Sequence, residues 1–274
     1  MVSVSWEEMH RDPLPRPVRR YLVDAGGYRL LVDAGVEAPP RVDYVLVTHY
    51  HWDHSYGIAL SPGLRVCMSS GTMRVLESGG YRDRLARIAE AMGLDPGEAL
   101  AHPLVRGFTS MYDEARRSLE RHEVYTLDEC PPVARGVVDA IPCPGHTDDH
   151  TCYRIGGALF AGDSYLEGAT PLTSNAAKFI SSMARLLATR WETLYPGHGD
   201  PRDRAEASTR IREMALHKLS RLLEAADAAA AGIEDPASLA ERIYGGLPGS
   251  PLDSYLLVSN AAGYMEGLRS LLKV

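Results

Sequence analysis

"LVTHYHWDHSYG", residues 46–57, sets three histidines and an aspartate within six positions, directly after an apolar run, "DYVLV" at 43–47, that reads as a buried strand. Imidazole and carboxylate are the groups through which proteins hold divalent transition metals. A loop leaving a strand end can turn several of them toward one point, so His49, His51, Asp53 and His54 are candidate ligands. The arrangement recurs along the chain. His146 stands in "PCPGHT", Asp163 in "LFAGD" and His198 in "LYPGHG", each behind an apolar run. One histidine after a strand is ordinarily a solvated loop residue, whereas four strand ends that each carry a donor point to a shared metal site.

Working outward, the 274 residues are 45% hydrophobic with a formal net charge of −7. That suffices for a substantial core and offers no bulk attraction to nucleic acid or an anionic membrane. No stretch approaches the roughly 18 consecutive apolar residues of a membrane span, and the first twenty residues lack a signal-like apolar centre. The expectation is a cytoplasmic protein with no membrane partner. Cys67, Cys130, Cys143 and Cys152 show no CxxC spacing and read as free thiols in a reducing compartment. Strand-and-turn patterning runs from about Arg19 to Cys67. A helical period takes over between about residues 71 and 128, with Leu85, Ile88, Ala89 and Met92 on one face. Strands return up to "ETLYPGHG", and from Arg202 the chain reads as helices begun by Ser, Asp or proline-bearing turns. Met73, Phe108, Met111 and Tyr112 of the insertion either line an adaptable apolar pocket or pack in the core.

Thr48, His49, His51, Asp53 and His54 match in full the T-H-x-H-x-D-H motif of the metallo-β-lactamase superfamily, which the chain resembles over roughly residues 19–201. The resemblance implies an α/β (α+β) fold, a four-layer αββα sandwich with its site where strand ends meet. Residues 1–201 would be the catalytic domain, carrying the insertion, and residues 202–274 a C-terminal helical extension. It also implies two metal ions, one on His49, His51 and His146 and one on Asp53, His54 and His198, with Asp163 between them. Zinc is expected first, iron or manganese as alternatives. Asp33 in "LLVDAG" is either a turn former or the acid that orients a ligand histidine. Tyr56 stands where many relatives have glycine, as a candidate substrate contact or as packing under the loop. His10, His102, His122, His150 and His217 are left unassigned.

Such a centre implies hydrolysis by a hydroxide bridging the two metal ions, with Asp53 as the catalytic carboxylate and no serine or cysteine nucleophile. The short PGHT and PGHG elements resemble glyoxalase-II-type thioester hydrolases, so a small-molecule thioester or related acyl substrate is expected; the residues that hold glutathione in those enzymes find no match here. Thiolate, with a pKa near 8.5, leaves without a dedicated general acid. The C-terminal helices resemble those of β-lactamase-like endoribonucleases, which keeps an RNA-cleaving or phosphodiesterase alternative open, although an acidic chain argues against nucleic acid. An iron persulfide dioxygenase and a lactonase stand further back. Oligomeric state is not legible in the sequence.

Overall fold

In the computed structural model, which describes residues 2–11 and 16–272, eleven strands form two sheets. The outermost residues of both expected units, Met1 and residues 273–274, lie outside the described residues. The first sheet takes β1 (Ser3–Met9), β2 (Val18–Ala25), β3 (Tyr28–Val32), β4 (Tyr44–Leu46) and β5 (Arg65–Met68) in order. The helices α1 (Trp52–Ser55), α2 (Ser70–Ser78), α3 (Gly80–Ala91), α4 (Pro96–Ala101) and α5 (Pro103–Ser118) precede its last strand, β6 (Glu123–Thr126). After α6 (Pro131–Ala134) the second sheet is built from β7 (Asp139–Pro142), β8 (Thr151–Ile155) and β9 (Ala158–Leu166). It is completed, past α7 (Ala176–Ala188), by β10 (Thr193–His198) and β11 (Arg202–Asp203). Three helices close the chain: α8 (Arg204–Ala230), α9 (Pro236–Tyr244) and α10 (Pro251–Leu272).

The alternation of side chains along a strand sorts the apolar residues into layers. Leu30, Val32, Leu46 and Cys67 face inward to meet Tyr153, Ile155 and Phe160 of the second sheet. Leu31, Val45 and Val66 face outward and are covered by Leu76 of α2 and by Met111, Tyr112 and Ala115 of α5. Strands β3 to β5 are therefore buried on both faces, which is why they read as unbroken apolar runs. Leu159 and Leu194 of the second sheet pack outward on Phe179, Met183 and Leu186 of α7 and on Ile211 and Met214 of α8. The four layers are thus helix, sheet, sheet, helix. A further cluster joins Ile88 of α3 to Leu222, Leu239, Val258 and Tyr264 of the last three helices.

Three sequence expectations need correction, and one left open is decided. Cys67 and Cys130 are joined in a disulfide, with Cα atoms 5.7 Å apart, while Cys143 and Cys152 are free and buried. The parallel pairing of β5 with β6 brings the two together across 63 residues, a distance at which spacing carries no signal. Counting thiols therefore no longer supports a reducing compartment; among the described residues no helix is long and apolar enough to cross a membrane. Strand β1 lies ahead of the expected β region, and its polar "SVSWEEM" pattern is that of a largely exposed edge. Strand β6 falls inside the stretch read as helical, because four half-exposed residues between helices give no period of their own. Finally, Met111 and Tyr112 are buried under the first sheet, with Met73 and Phe108 packed beside them, so these residues are core.

The helical end is tied down around one buried lysine. Lys218 of α8 is fully buried, donates from Nζ to Asn260 Oδ1 at 2.9 Å and lies over the Tyr264 ring. Asn260 also accepts from Thr173 and donates to the Tyr244 and Tyr264 hydroxyls. Burial pulls the Lys218 ammonium down to about 7. Between that value and the unfolded value of about 10.4 the unfolded chain binds more protons at this residue, so its contribution to unfolding free energy rises with pH. Denaturant titrations at pH 7, 8 and 9 should show wild-type protein gaining on Lys218→Met with a slope approaching about 1.4 kcal/mol per pH unit. Parallel pH profiles for the two proteins would contradict it.

Candidate metal centre

The loop between β4 and α1 is held from behind by one carboxylate. Asp33 follows β3 with φ of 60°, the one non-glycine residue at positive φ among those described. That conformation costs on the order of 1 kcal/mol and is fixed by its partners. Asp33 N–H donates to Leu46 O, and Ala34 N–H to His54 O. Its side chain accepts from Thr48 N at 2.8 Å, from Thr48 Oγ1 at 3.1 Å and from His54 Nδ1 at 2.7 Å. The carboxylate thus pins both ends of the histidine-bearing loop, in the orienting role rather than as a simple turn former. Asp149, for which the sequence offers no distinguishing signal, anchors the loop's middle: it is buried and accepts from Tyr50 N at 3.0 Å and from Thr72 Oγ1 of α2 at 2.7 Å.

The structure gathers all seven candidate side chains into two adjoining groups. Donor atoms of His49, His51, His146 and Asp163 lie within 4.8 Å of one another, as do those of Asp53, His54 and His198. Asp163 faces both groups, with Oδ1 3.2 Å from His54 Nε2 and 3.5 Å from His198 Nε2, and Oδ2 3.6 Å from His146 Nε2. Asp53 Oδ2 lies 3.2 Å from His198 Nε2. Two glycines make room for this. A Cβ on Gly197 of "PGH" would come within 2.6 Å of Asp163 Oδ1 and of the His54 ring, and one on Gly162 of "GD" within 2.8 Å of Thr48 Oγ1.

The remote ring nitrogens fix the tautomers. His146 Nδ1 donates to Leu172 O at 2.8 Å, His198 Nδ1 to Pro17 O at 2.7 Å and His54 Nδ1 to Asp33. His49 Nδ1 meets Thr48 Oγ1, which passes the contact on to Asp33. In the neutral tautomer each of these rings then presents a bare Nε2 lone pair to the centre. Ring nitrogens converge there: His51 Nδ1 lies 2.9 Å from His49 Nε2 and 3.0 Å from His146 Nε2. His54 Nε2 and Asp163 Oδ1 are buried with no aligned hydrogen-bond partner. Such a set is satisfied by cations, and nitrogen-plus-carboxylate donors suit divalent ions.

Burial pushes His49 and His51 well below the usual imidazole range, which keeps them in the neutral, ligating form. His54 and His198 move the other way. Against the cost of burial, Asp163 with Asp33 and Asp53 holds His54 well above its ordinary value, and Asp163 with Asp53 lifts His198 to about 9. Both shifts come from the buried carboxylates beside these rings, the same charges that would attract a cation. His150 lies outside the donor set but stacks on His49 with ring centroids 4.7 Å apart, backing that ring from the protein side. Tyr56 is buried in the apolar cluster, with its hydroxyl donating to Glu114 of α5 at 2.9 Å and Arg11 over its ring. That is packing under the loop, the second of the two readings its position allowed. His102 stands at the N-terminal cap of α5, His122 accepts from Leu64 N–H, and His217 sits on α8 away from the donor groups.

No family model matches the chain. It is 24% identical over 196 residues to a beta-lactamase-like protein 2 homolog of Drosophila melanogaster, covering 66% of this chain and 58% of that protein. It is 23% identical over 282 residues to an atrochrysone carboxyl ACP thioesterase of Aspergillus fumigatus, covering 90% of this chain and 73% of that one. The chain therefore spans between about half and three-quarters of the length of such relatives. A solved metallo-beta-lactamase family protein from Thermus thermophilus superposes with a TM-score of 0.68 at 21% identity, over 98% of this chain and 93% of its own.

Replacing Asp33 by Asn keeps the shape and removes the charge that holds His54 and, through Thr48, His49. Metal affinity, measured by competition with a chromophoric chelator, should fall about 10- to 100-fold in Asp33→Asn with the fold retained. Unchanged affinity would mean that the loop is positioned by other contacts.

Proposed function

From a chain of the metallo-β-lactamase superfamily, with that superfamily's fold and ligand motif, we propose a binuclear metal-dependent hydrolase acting on thioesters or closely related acyl substrates. One ion would be held by His49, His51 and His146 and the other by Asp53, His54 and His198, with Asp163 shared. The observation that carries this reading is the position of Asp163, which sends one oxygen toward His54 and His198 and the other toward His146. The donor set suits divalent ions, and zinc is the first candidate, since imidazole and carboxylate also accept iron and manganese. Bound there, divalent ions supply Lewis acidity, polarising a carbonyl and lowering the pKa of water toward 7.

The chain's own part is positioning and proton handling. Asp53, at 3.2 Å from His198 Nε2, is assigned to orient the attacking water and take up its proton. Asp163 fixes the separation of the two donor groups. Asp33, Thr48 and the backbone carbonyls of Leu172 and Pro17 keep the imidazoles from turning. A thiolate leaves without a dedicated general acid, so a thioester suits a centre whose donors are imidazoles and carboxylates. The name of the Aspergillus relative, a thioesterase, supports the same substrate class.

Purified metal-replete protein should turn over at least one member of an acyl-thioester panel. Asp53→Ala should lower kcat by at least about 100-fold while far-ultraviolet circular dichroism stays unchanged. Single-stranded RNA should bind weakly at physiological ionic strength. Cleavage of RNA that vanishes in Asp53→Ala, with no thioester hydrolysed, would replace the thioesterase reading by the endoribonuclease one.

A further inference from the structure

Beside the donor cluster lies a cleft of about 650 Å³ between α2 and α3 on one side and α10 on the other. Its inner end is formed by Tyr50, whose ring is 4.8 Å from that of His51, by Asp148 and Asp149, and by Ser174, whose N–H donates to the carbonyls of Gly145 and His146. Its walls carry Arg74 of α2, Arg84 and Arg87 of α3 and Arg269 of α10. Four guanidinium groups around one cleft run against a chain charge of −7.

Of the four, Arg269 alone pairs with an acidic group of the lining. Asp148 is paired with Lys178 at 2.8 Å. Asp149 is occupied by Tyr50 N–H and Thr72. Glu266 stands 3.8 Å from Arg269. Arg74, Arg84 and Arg87 have no carboxylate partner among the described residues; Arg84 reaches Ser259 Oγ at 3.5 Å, and its charge also bears on the Tyr50 hydroxyl. Guanidinium groups without carboxylate partners around a cleft are suited to phosphate, which they bind through parallel N–H···O contacts. Between these charges the lining is apolar, with Val75, Ile88 and Ala262.

We propose that this cleft binds a phosphate-bearing thiol carrier, with its phosphates on Arg74, Arg84, Arg87 and Arg269 and its acyl thioester extended past Tyr50 to the donor cluster. This deepens the thioesterase reading and rests on it. In the reaction the water oxygen bonds to the acyl carbon and the carbon–sulfur bond breaks. Sulfur leaves with the electron pair and takes up a proton, giving a free acid and the thiol. The carrier chemistry has two sources, free coenzyme A and the phosphopantetheine arm of a carrier protein.

The test uses the metal-loaded full chain, with adenosine 3′,5′-bisphosphate as a thiol-free probe in titration calorimetry. Acetyl- and longer acyl-coenzyme A, the matching acyl-pantetheines without phosphate, and an acyl-carrier protein serve as substrates. The double variant Arg74→Ala/Arg87→Ala should bind the bisphosphate about tenfold or more weakly. It should raise KM for the phosphate-bearing thioester about tenfold with kcat within twofold, and leave acyl-pantetheine kinetics unchanged. Arg116→Ala/Arg117→Ala, which removes the same charge from the far end of α5, should do neither. Arginine-dependent turnover of the carrier-protein thioester but not the free one supports the tethered source. Equal effects of the two double variants, or equal use of acyl-coenzyme A and acyl-pantetheine without bisphosphate binding, would overturn the subsite and leave the thioesterase reading standing. Arginine-dependent bisphosphate binding with no thioester hydrolysed would overturn the thioesterase reading and the carrier with it. Cleavage of an oligoribonucleotide with the same arginine dependence would assign the cleft to RNA instead.

Discussion

One buried carboxylate, that of Asp33, holds the centre in shape. It accepts from a backbone N–H and a hydroxyl at the start of the histidine loop and from an imidazole at its end, so the loop closes on itself around a single charge. That charge is costly to bury alone, by several kcal/mol, and the cost is met by the hydrogen bonds it collects. The left-handed backbone at Asp33 follows from the same requirement: the chain must leave β3 sharply enough for the side chain to return under Thr48. Once the loop is fixed, the strand ends of the second sheet need only bring His146, Asp163 and His198 to the facing side. Glycines at 162 and 197 let them approach.

Asp53 and Asp163 are buried as well, and among the described residues their ion pairs are with imidazoles, not with lysine or arginine. The arginines are held one shell further out, in the cleft. This separation has a chemical consequence. A guanidinium inside the donor set would compete with cations for the carboxylates, whereas one beyond Tyr50 leaves the carboxylates free and still offers its charge to an anionic substrate. Under the proposed carrier subsite the helices after residue 202 would serve function through this arrangement, because α10 supplies the far wall of the cleft and shares a hydrophobic cluster with α3.

Much of this was legible in the sequence, for local reasons. The histidine loop follows a short strand buried on both faces, and each remaining donor follows another strand, so contiguity and apolar patterning together reveal the donor set. Asp33 was visible as a candidate, but only three-dimensional closure of the loop separates an orienting acid from a turn former. What escaped detection depends on registers and faces that no local pattern encodes. Cys67 and Cys130 meet through a pairing of β5 with β6 that spans a whole helical insertion. Met111 and Tyr112 lie on the apolar face of a helix, and periodicity shows that such a face exists without showing whether it meets a sheet or a cleft. The arginine cluster is assembled from three helices, one of them far from the others in the chain, and Asp149 becomes an anchor only because α2 passes beside it.

That the buried donors form one centre for two cations is tested most directly by anomalous diffraction from crystals of zinc-loaded protein, recorded on either side of the zinc edge. Two adjacent peaks are predicted, one contacted by His49, His51 and His146 and the other by Asp53, His54 and His198, with Asp163 reaching both. A single peak at full occupancy under zinc-replete conditions, or zinc bound away from these residues, would contradict it.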